Sequence, residues 1–304
     1  MHFGPLLIDI IFNTLSMYVQ AAKIFISNVF PLRGKETQMI RIGKSTIYLT
    51  SKHNLLDTHL QAIEVFPPFV RWIHRLTSQL ADRKVAHLLS ITITDVDLFS
   101  SGKIGFVKLL ANVEYGDGTK IPGIVLLRGD AVAILVRIRM RDGIDVTCEE
   151  RGQVWVVMVE QPRIALGSMR NLEIPAGMID GESNFSGVAA KELEEECGIV
   201  LNSRDLIEMS PQLEGDEPGL VLSGGLCDER IRLYFCEKEL AKSDVLKLNG
   251  HLAGLREDGE RIRTVLVPWD DVIKSSNDVK AIVSLYLWNL WKDQTCKDRG
   301  SIKE

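Results

Sequence analysis

Cysteine is scarce and carries no pattern: Cys148, Cys197, Cys227, Cys236 and Cys296 are odd in number, far apart, and form no CxxC unit or other zinc spacing. That excludes a disulfide framework and a sequence-evident zinc site, and it points to reduced thiols inside the cell. The six histidines (His2, His53, His59, His74, His87 and His251) show no ligand spacing with one another or with cysteine, so none is assigned. Basic charge is also short, with 36 Lys and Arg against 41 Asp and Glu and a net charge of −5. No overall positive field therefore draws the molecule to nucleic acid or an anionic membrane, and a phosphate ligand has to be handled locally. Repeats and low-complexity tracts are absent. What remains, 304 residues with 45% apolar and 25% charged side chains, suits one large or two modest globular domains and excludes disorder, collagen and coiled coil.

Residues 1 to 38 raise the one membrane question. Phe3 to Phe30 is mostly apolar, but Asp9, Asn13, Ser16, Gln20, Lys23 and Ser27 recur at steps of three and four, a narrow polar stripe on a helix. A signal peptide needs a basic beginning and a small-residue cleavage site, and a mitochondrial presequence needs arginines; neither fits. The alternatives are an interfacial helix or short anchor in membrane contact over residues 3–30, a helix packed on protein, or sequence upstream of a start at Met17 or Met39.

Residues 39–128 and 129–304 differ in texture and are read as two domains. The first holds a helix-prone stretch, Leu55 to Leu89, broken at Pro67 and Pro68, then alternating segments Leu88–Val96 and Ile104–Val113 and a turn at Gly116-Asp117-Gly118. The second opens on apolar runs, Ala131–Ile138 and Val154–Val159, that predict buried central strands. An acidic helix, strands near Ile231–Cys236 and Ile262–Val267, and an amphipathic helix from about Asp278 to Trp291 complete an α+β chain.

The chemistry-bearing stretch runs from Leu172-Glu173-Ile174-Pro175-Ala176-Gly177 to a helix ending Glu192-Leu193-Glu194-Glu195-Glu196-Cys197-Gly198. Asn184 or Ser186 suits its N-cap and Gly198 its end, and Phe185, Val188, Ala189 and Leu193 form one apolar face. On the helical wheel Glu192, Glu195 and Glu196 fall within about 100° of arc overlapping that face, while Glu194 points away. Like charges at i,i+3 and i,i+4 repel, and acids at the negative end of a helix dipole lose roughly 0.3–1 kcal/mol more. An arrangement that tolerates both costs, with oxygen donors only, calls for a hard divalent ion, Mg²⁺ or alternatively Mn²⁺.

Gly177 to Ile199 resembles the 23-residue signature of the Nudix hydrolases, with Gly177, Glu192, Leu193, Glu195, Glu196, Gly198 and Ile199 at the signature's spacing. Ser183 stands where the family has its first Glu, and Lys191 where it has Arg; in the family that pair mainly braces the loop. Glu160-Gln161-Pro162-Arg163, Ser223-Gly224-Gly225, Glu229 and Leu255 to Glu260 extend the resemblance to the ADP-sugar and ADP-ribose pyrophosphatase branch, and most nearly to its plant chloroplast group.

That resemblance implies an α/β/α Nudix sandwich behind a smaller N-terminal β-rich domain, often in a homodimer, in the cytoplasm, a plastid or a mitochondrion. It implies metal ligation by the Ala176 carbonyl, Glu192, Glu195, Glu196 and Glu260, with Glu195, Glu260 and Asp258 the candidates for catalysis. It also implies substrate contacts from Arg163, Ser223, Gly225 and Glu229. The expected activity is Mg²⁺-dependent hydrolysis of a nucleoside diphosphate sugar of the ADP-glucose or ADP-ribose class to a nucleoside monophosphate and a sugar phosphate. The alternative is a catalytically weak module that binds a nucleotide or a protein, suggested by Ser183, Lys191 and Gly224.

Overall fold

The structure, a computed structural model, describes residues 37–42, 45–51, 57–141, 153–179, 184–213, 218–254 and 261–300. The chain divides into two compact units, one formed by 1–129 with 223–228, the other by 130–222 with 229–304.

The first unit is a sheet backed by two helices. Its strands are β1 (Thr37–Ile42), β2 (Ser45–Ser51), β3 (Ala86–Leu98), β4 (Ile104–Tyr115), β5 (Lys120–Ile121) and β6 (Ile124–Leu127). They lie in the order β1-β2-β3-β4-β5, with β6 on β4. Alternation sends Ile91 and Ile93 of β3 and Val107 and Leu109 of β4 into a core with α1 (Asp57–Glu64) and α2 (Pro67–Arg83). Pro67 opens α2 at a position that needs no intrahelical N–H, and this is why the helix-prone stretch splits there. The stretch ends earlier than its texture suggests: Lys84 is left-handed (φ 53°) and β3 begins at Ala86. The 223–228 segment joins this unit through β6, where Leu126 N donates to Leu226 O at 2.8 Å and the Asp228 carboxylate accepts from Arg128 N at 2.8 Å.

The second unit is a sandwich with a central sheet. Its strands are β7 (Ala131–Met140), β8 (Val154–Arg163), β9 (Ser168–Glu173), β10 (Ala176–Met178), β11 (Ile207–Glu208), β12 (Leu220–Val221), β13 (Arg230–Leu240), β14 (Leu252–Ala253) and β15 (Ile262–Pro268). The main path is β11-β13-β7-β8-β15-β14, with β9 on β8, β10 on β7 and β12 on β13. β13 runs parallel to β7, from Ile231 opposite Ala131 to Leu240 opposite Met140, and both strands are covered on two faces.

Alternation along β7 divides the core in two. Val132, Ile134, Val136 and Ile138 pack with α3 (Phe185–Cys197) and α4 (Lys242–Leu248), through Val188, Ala189, Leu193, Val245 and Leu248. Ala131, Ala133 and Leu135 face α5 (Val272–Ser275) and α6 (Val279–Gly300), through Val272, Ala281 and Leu285. Helices on both faces make this an α/β/α sandwich, and the whole chain is α+β. Trp288 of α6 stacks on Phe235 at 3.9 Å and on Trp291 at 5.1 Å, so these tryptophans are packing residues. Among the described residues no helix is long and apolar enough to cross a membrane.

Candidate active site

The acidic helix α3 is fixed at both ends by its own sequence. The Asn184 side chain accepts from Gly187 N at 3.0 Å, and a Cβ on Gly187 would run into that same amide. At the other end Gly198 is left-handed (φ 68°), its N–H donating to Glu194 O at 2.9 Å while Ile199 N donates to Leu193 O at 3.3 Å. This is the paired closure that suits glycine at a helix C-terminus.

With the helix so held, the acids separate by depth. Glu196 is buried, Glu192 and Glu195 are half-buried, and Glu194 is exposed. Glu196 faces the start of β10, where Ala176 N donates to its carboxylate at 3.1 Å. Gly177, the next residue, lies so close to Glu192 that a Cβ there would fall on the Glu192 carboxylate, which is why glycine is required. The Ala176-Gly177 strand, Glu192 and Glu196 therefore form one cluster. Burial, and then the neighbouring Glu192, push the Glu196 carboxyl up to about 8, although the Ala176 N–H pulls the other way. At neutral pH such a group is protonated unless a cation joins it.

Glu195 is turned partly aside, toward Lys191 Nζ at 3.3 Å one helical turn back. Its backbone carbonyl accepts from Gly254 N at 3.2 Å, which ties the helix to the end of β14. Asp258 and Glu260 follow in the sequence. Both of those acids, and Ser183, lie outside the described residues. Among the described residues no three His, Cys, Asp or Glu side chains converge as a ready-made metal site.

Arg163 ends β8 near the cluster, close enough to stabilise the charged form of Glu196. Its Nε donates to Glu173 Oε1 at 2.6 Å, and the other Glu173 oxygen accepts from Lys280 Nζ at 2.9 Å. Lys280 also reaches Asp278 Oδ1 at 2.9 Å, and Asp278 Oδ2 accepts from Ile174 N at 3.0 Å. Burial raises the Glu173 pKa, but Lys280 and Arg163 outweigh it and hold the carboxyl below the usual range. Burial likewise lowers Lys280, and Asp278 and Glu173 more than reverse this. Sequence reasoning assigned Glu173, Asp278 and Lys280 no role. The available signal was a single lysine in the first turn of an apolar helix, where a cation opposes the dipole and so asks for a partner.

Ser223 and Gly225 are exposed and belong to the first unit, and a Cβ on Gly225 would meet nothing within 4 Å. Glu229 belongs to the second unit, half-buried at the foot of β13.

Glu192, Glu195 and Glu196 thus lie at graded depth on α3, beside a glycine-containing strand and with Arg163 close by, on an α/β/α sandwich. The NUDIX domain family matches residues 140–285. The chain is 33% identical over 228 residues to Nudix hydrolase 14, chloroplastic, from Arabidopsis thaliana, covering 73% of this chain and 70% of that protein. Over 98 residues it is 34% identical to putative nudix hydrolase 2 of Caenorhabditis elegans, covering 31% of this chain and 39% of that one. A solved ADP compounds hydrolase aligns with 69% of this chain and 97% of its own, at 16% identity and a TM-score of 0.42. The chain belongs to the Nudix hydrolase family and is a hydrolase, and Nudix enzymes generally use divalent metal ions.

Proposed function

We propose that the protein hydrolyses the diphosphate bond of a nucleoside diphosphate sugar, of the ADP-ribose or ADP-glucose class, to a nucleoside monophosphate and a sugar phosphate with Mg²⁺ as cofactor. The observation that carries this reading is the buried Glu196 carboxyl, set beside Glu192 and the Ala176-Gly177 strand with its pKa pushed up to about 8. Two buried or half-buried acids against a backbone strand, with no histidine or thiolate donor, fit a hard divalent cation that would relieve their repulsion.

In this reading the Ala176 carbonyl, Glu192, Glu196 and Glu195 hold the ion with Glu260. When bound, a divalent ion lowers the pKa of a water molecule and absorbs charge on phosphoryl oxygens. Glu260, or Asp258 in its place, accepts the proton of the attacking water. Arg163, anchored through Nε, turns its terminal nitrogens to a phosphate oxygen. The Ala176 N–H keeps Glu196 against its strand, and Lys191 steadies Glu195 across one turn. Ser223, Gly225 and Glu229 stand as substrate contacts, and a homodimer as the working assembly. The chloroplastic relative supports an organellar location.

The test is a hydrolysis screen over nucleoside diphosphate sugars with Mg²⁺ present and absent, with products identified by mass. Mg²⁺-dependent release of a nucleoside monophosphate is the expected result. Nucleotide binding without turnover, at every metal tried, would replace the enzyme by the weakly catalytic module.

A further inference from the structure

We infer that Lys280 is a positioning residue for substrate binding, acting through Glu173 to keep the terminal nitrogens of Arg163 free for the diphosphate. This rests on the reading above, in which Arg163 contacts the substrate.

Glu173 is 5% exposed, so both of its oxygens need partners within the protein. An arginine and a carboxylate left to themselves pair bidentately, two N–H groups on two oxygens. Here the pairing is single: Arg163 reaches Oε1 through Nε at 2.6 Å, and Lys280 Nζ sits on Oε2 at 2.9 Å, where its positive charge repels a second guanidinium nitrogen. Among the described residues no partner is recorded for the terminal Arg163 nitrogens, and the side chain is 42% exposed. With Nε anchored, the Nη groups are the part of the guanidinium that can fork onto a phosphate.

Lys280 is itself over-determined. Asp278 Oδ1 takes its Nζ at 2.9 Å and its backbone N–H at 3.1 Å, and Asp278 Oδ2 takes Ile174 N at 3.0 Å. The first turn of α6 is thereby tied to the strand end that leads into Ala176. Arg163, Glu173, Lys280 and Asp278 together sum to zero charge, so the network holds its ions without leaving one uncompensated.

Removing the Lys280 ammonium frees Oε2. Arg163 then rotates a terminal nitrogen onto it, completes the bidentate pair, and withdraws from substrate. The ground state and the transition state lose this contact alike, so the effect falls on KM rather than kcat.

The experiment measures KM and kcat for ADP-ribose with Mg²⁺ in the unmodified enzyme, Lys280→Met, Arg163→Ala and the double variant, with melting temperatures alongside. Lys280→Met is expected to raise KM about tenfold with kcat within about twofold, and to add nothing once Arg163 is alanine. Should Lys280→Met fail to fold, Lys280→Met with Glu173→Met removes the buried carboxylate along with its ammonium, and with no acceptor left for Nε the lost anchor is expected to raise KM to the same order. A lowered melting temperature with unchanged KM, or equal KM increments with and without Arg163, overturns the inference and leaves Lys280 a structural ion. An unchanged KM in Arg163→Ala removes Arg163 from the substrate site, and the relay with it, while hydrolysis stands. Absence of any hydrolysis of ADP-ribose or ADP-glucose by the unmodified protein refutes the substrate reading itself and the inference built on it.

Discussion

Glu196→Gln separates the needs of the fold from those of the chemistry, because the two are expected to respond in opposite directions. The Glu196 carboxyl has its pKa pushed up to about 8 in the folded chain, chiefly by burial and then by Glu192. A raised carboxyl pKa means that the native state keeps a proton the unfolded state has released, so metal-free stability falls as pH rises from the ordinary Glu value toward 8. At pH 7 the gap from an ordinary value near 4.5 is about 2.5 units, which is on the order of 3 kcal/mol of strain. Glutamine keeps an acceptor for the Ala176 N–H and carries no charge, but its buried NH₂ is left without a partner at a cost of roughly 1 kcal/mol or more. The metal-free variant is therefore expected to be more stable than the parent by about 1–2 kcal/mol at pH 7, with no gain below about pH 4.5. Denaturant unfolding in a chelator at pH 4.5 and pH 7 reads this directly. Adding Mg²⁺ should raise the midpoint of the parent and not of the variant, and turnover should fall by at least a hundredfold. A variant that is less stable than the parent at pH 7 without metal, or that keeps most of its turnover, would refute the strain argument.

Glu194→Gln, at the exposed position of the same run, is expected to leave kcat/KM and stability within about twofold and ±0.5 kcal/mol, since surface changes away from such features are small. Gly177→Ala puts a Cβ into the Glu192 carboxylate, so turnover and Mg²⁺ affinity should both fall, as a metal titration followed by activity would register. Glu173, held below its usual range, contributes stability that is present above its ordinary pKa near 4.5 and is lost as pH falls through its depressed value. Glu173→Gln should therefore cost roughly 3–5 kcal/mol at pH 7 and flatten the acid limb of a stability-against-pH curve. Deleting residues 1–36, which stops short of β1 at Thr37, is expected to leave turnover intact and to change solubility or membrane partitioning, which sedimentation with vesicles would measure; loss of catalysis would make the segment part of the folded enzyme.

The two ends of α3 were legible because their signals are local: Asn184 and Gly198 act within a turn of themselves. The same holds for depth along the acid run, since 100° per residue fixes which glutamates can turn inward once Val188, Ala189 and Leu193 mark the core face. β7 was legible as an apolar run and β13 as a strand near Ile231–Cys236, but not their parallel pairing, which depends on a long connection and leaves no mark in either strand. The Arg163-Glu173-Lys280 network was hidden for the same reason. Glu173 and Lys280 are 107 residues apart, and each alone reads as an ordinary charge. Ser223 and Gly225 belong to the unit formed by 1–129, a join across a long stretch of chain that no local signal announces.

The acid helix also shows where local rules conflict and what compensates for the conflict. Four glutamates near the negative end of a helix dipole, one of them buried, would fray an isolated segment of this length. Here an N-cap, a glycine closure and an apolar face on the sheet each supply about 1 kcal/mol or more in the other direction. Those stabilising features act at the helix ends and through the apolar face, so the charge density at the site can be kept without losing the helix. By contrast, Glu173 is neutralised by fixed cations and needs no ion from solution. The two buried acids thus divide the labour. Glu173, with partners supplied, orders Arg163, and Glu196, strained in the bare protein, is left to be satisfied by what the site binds.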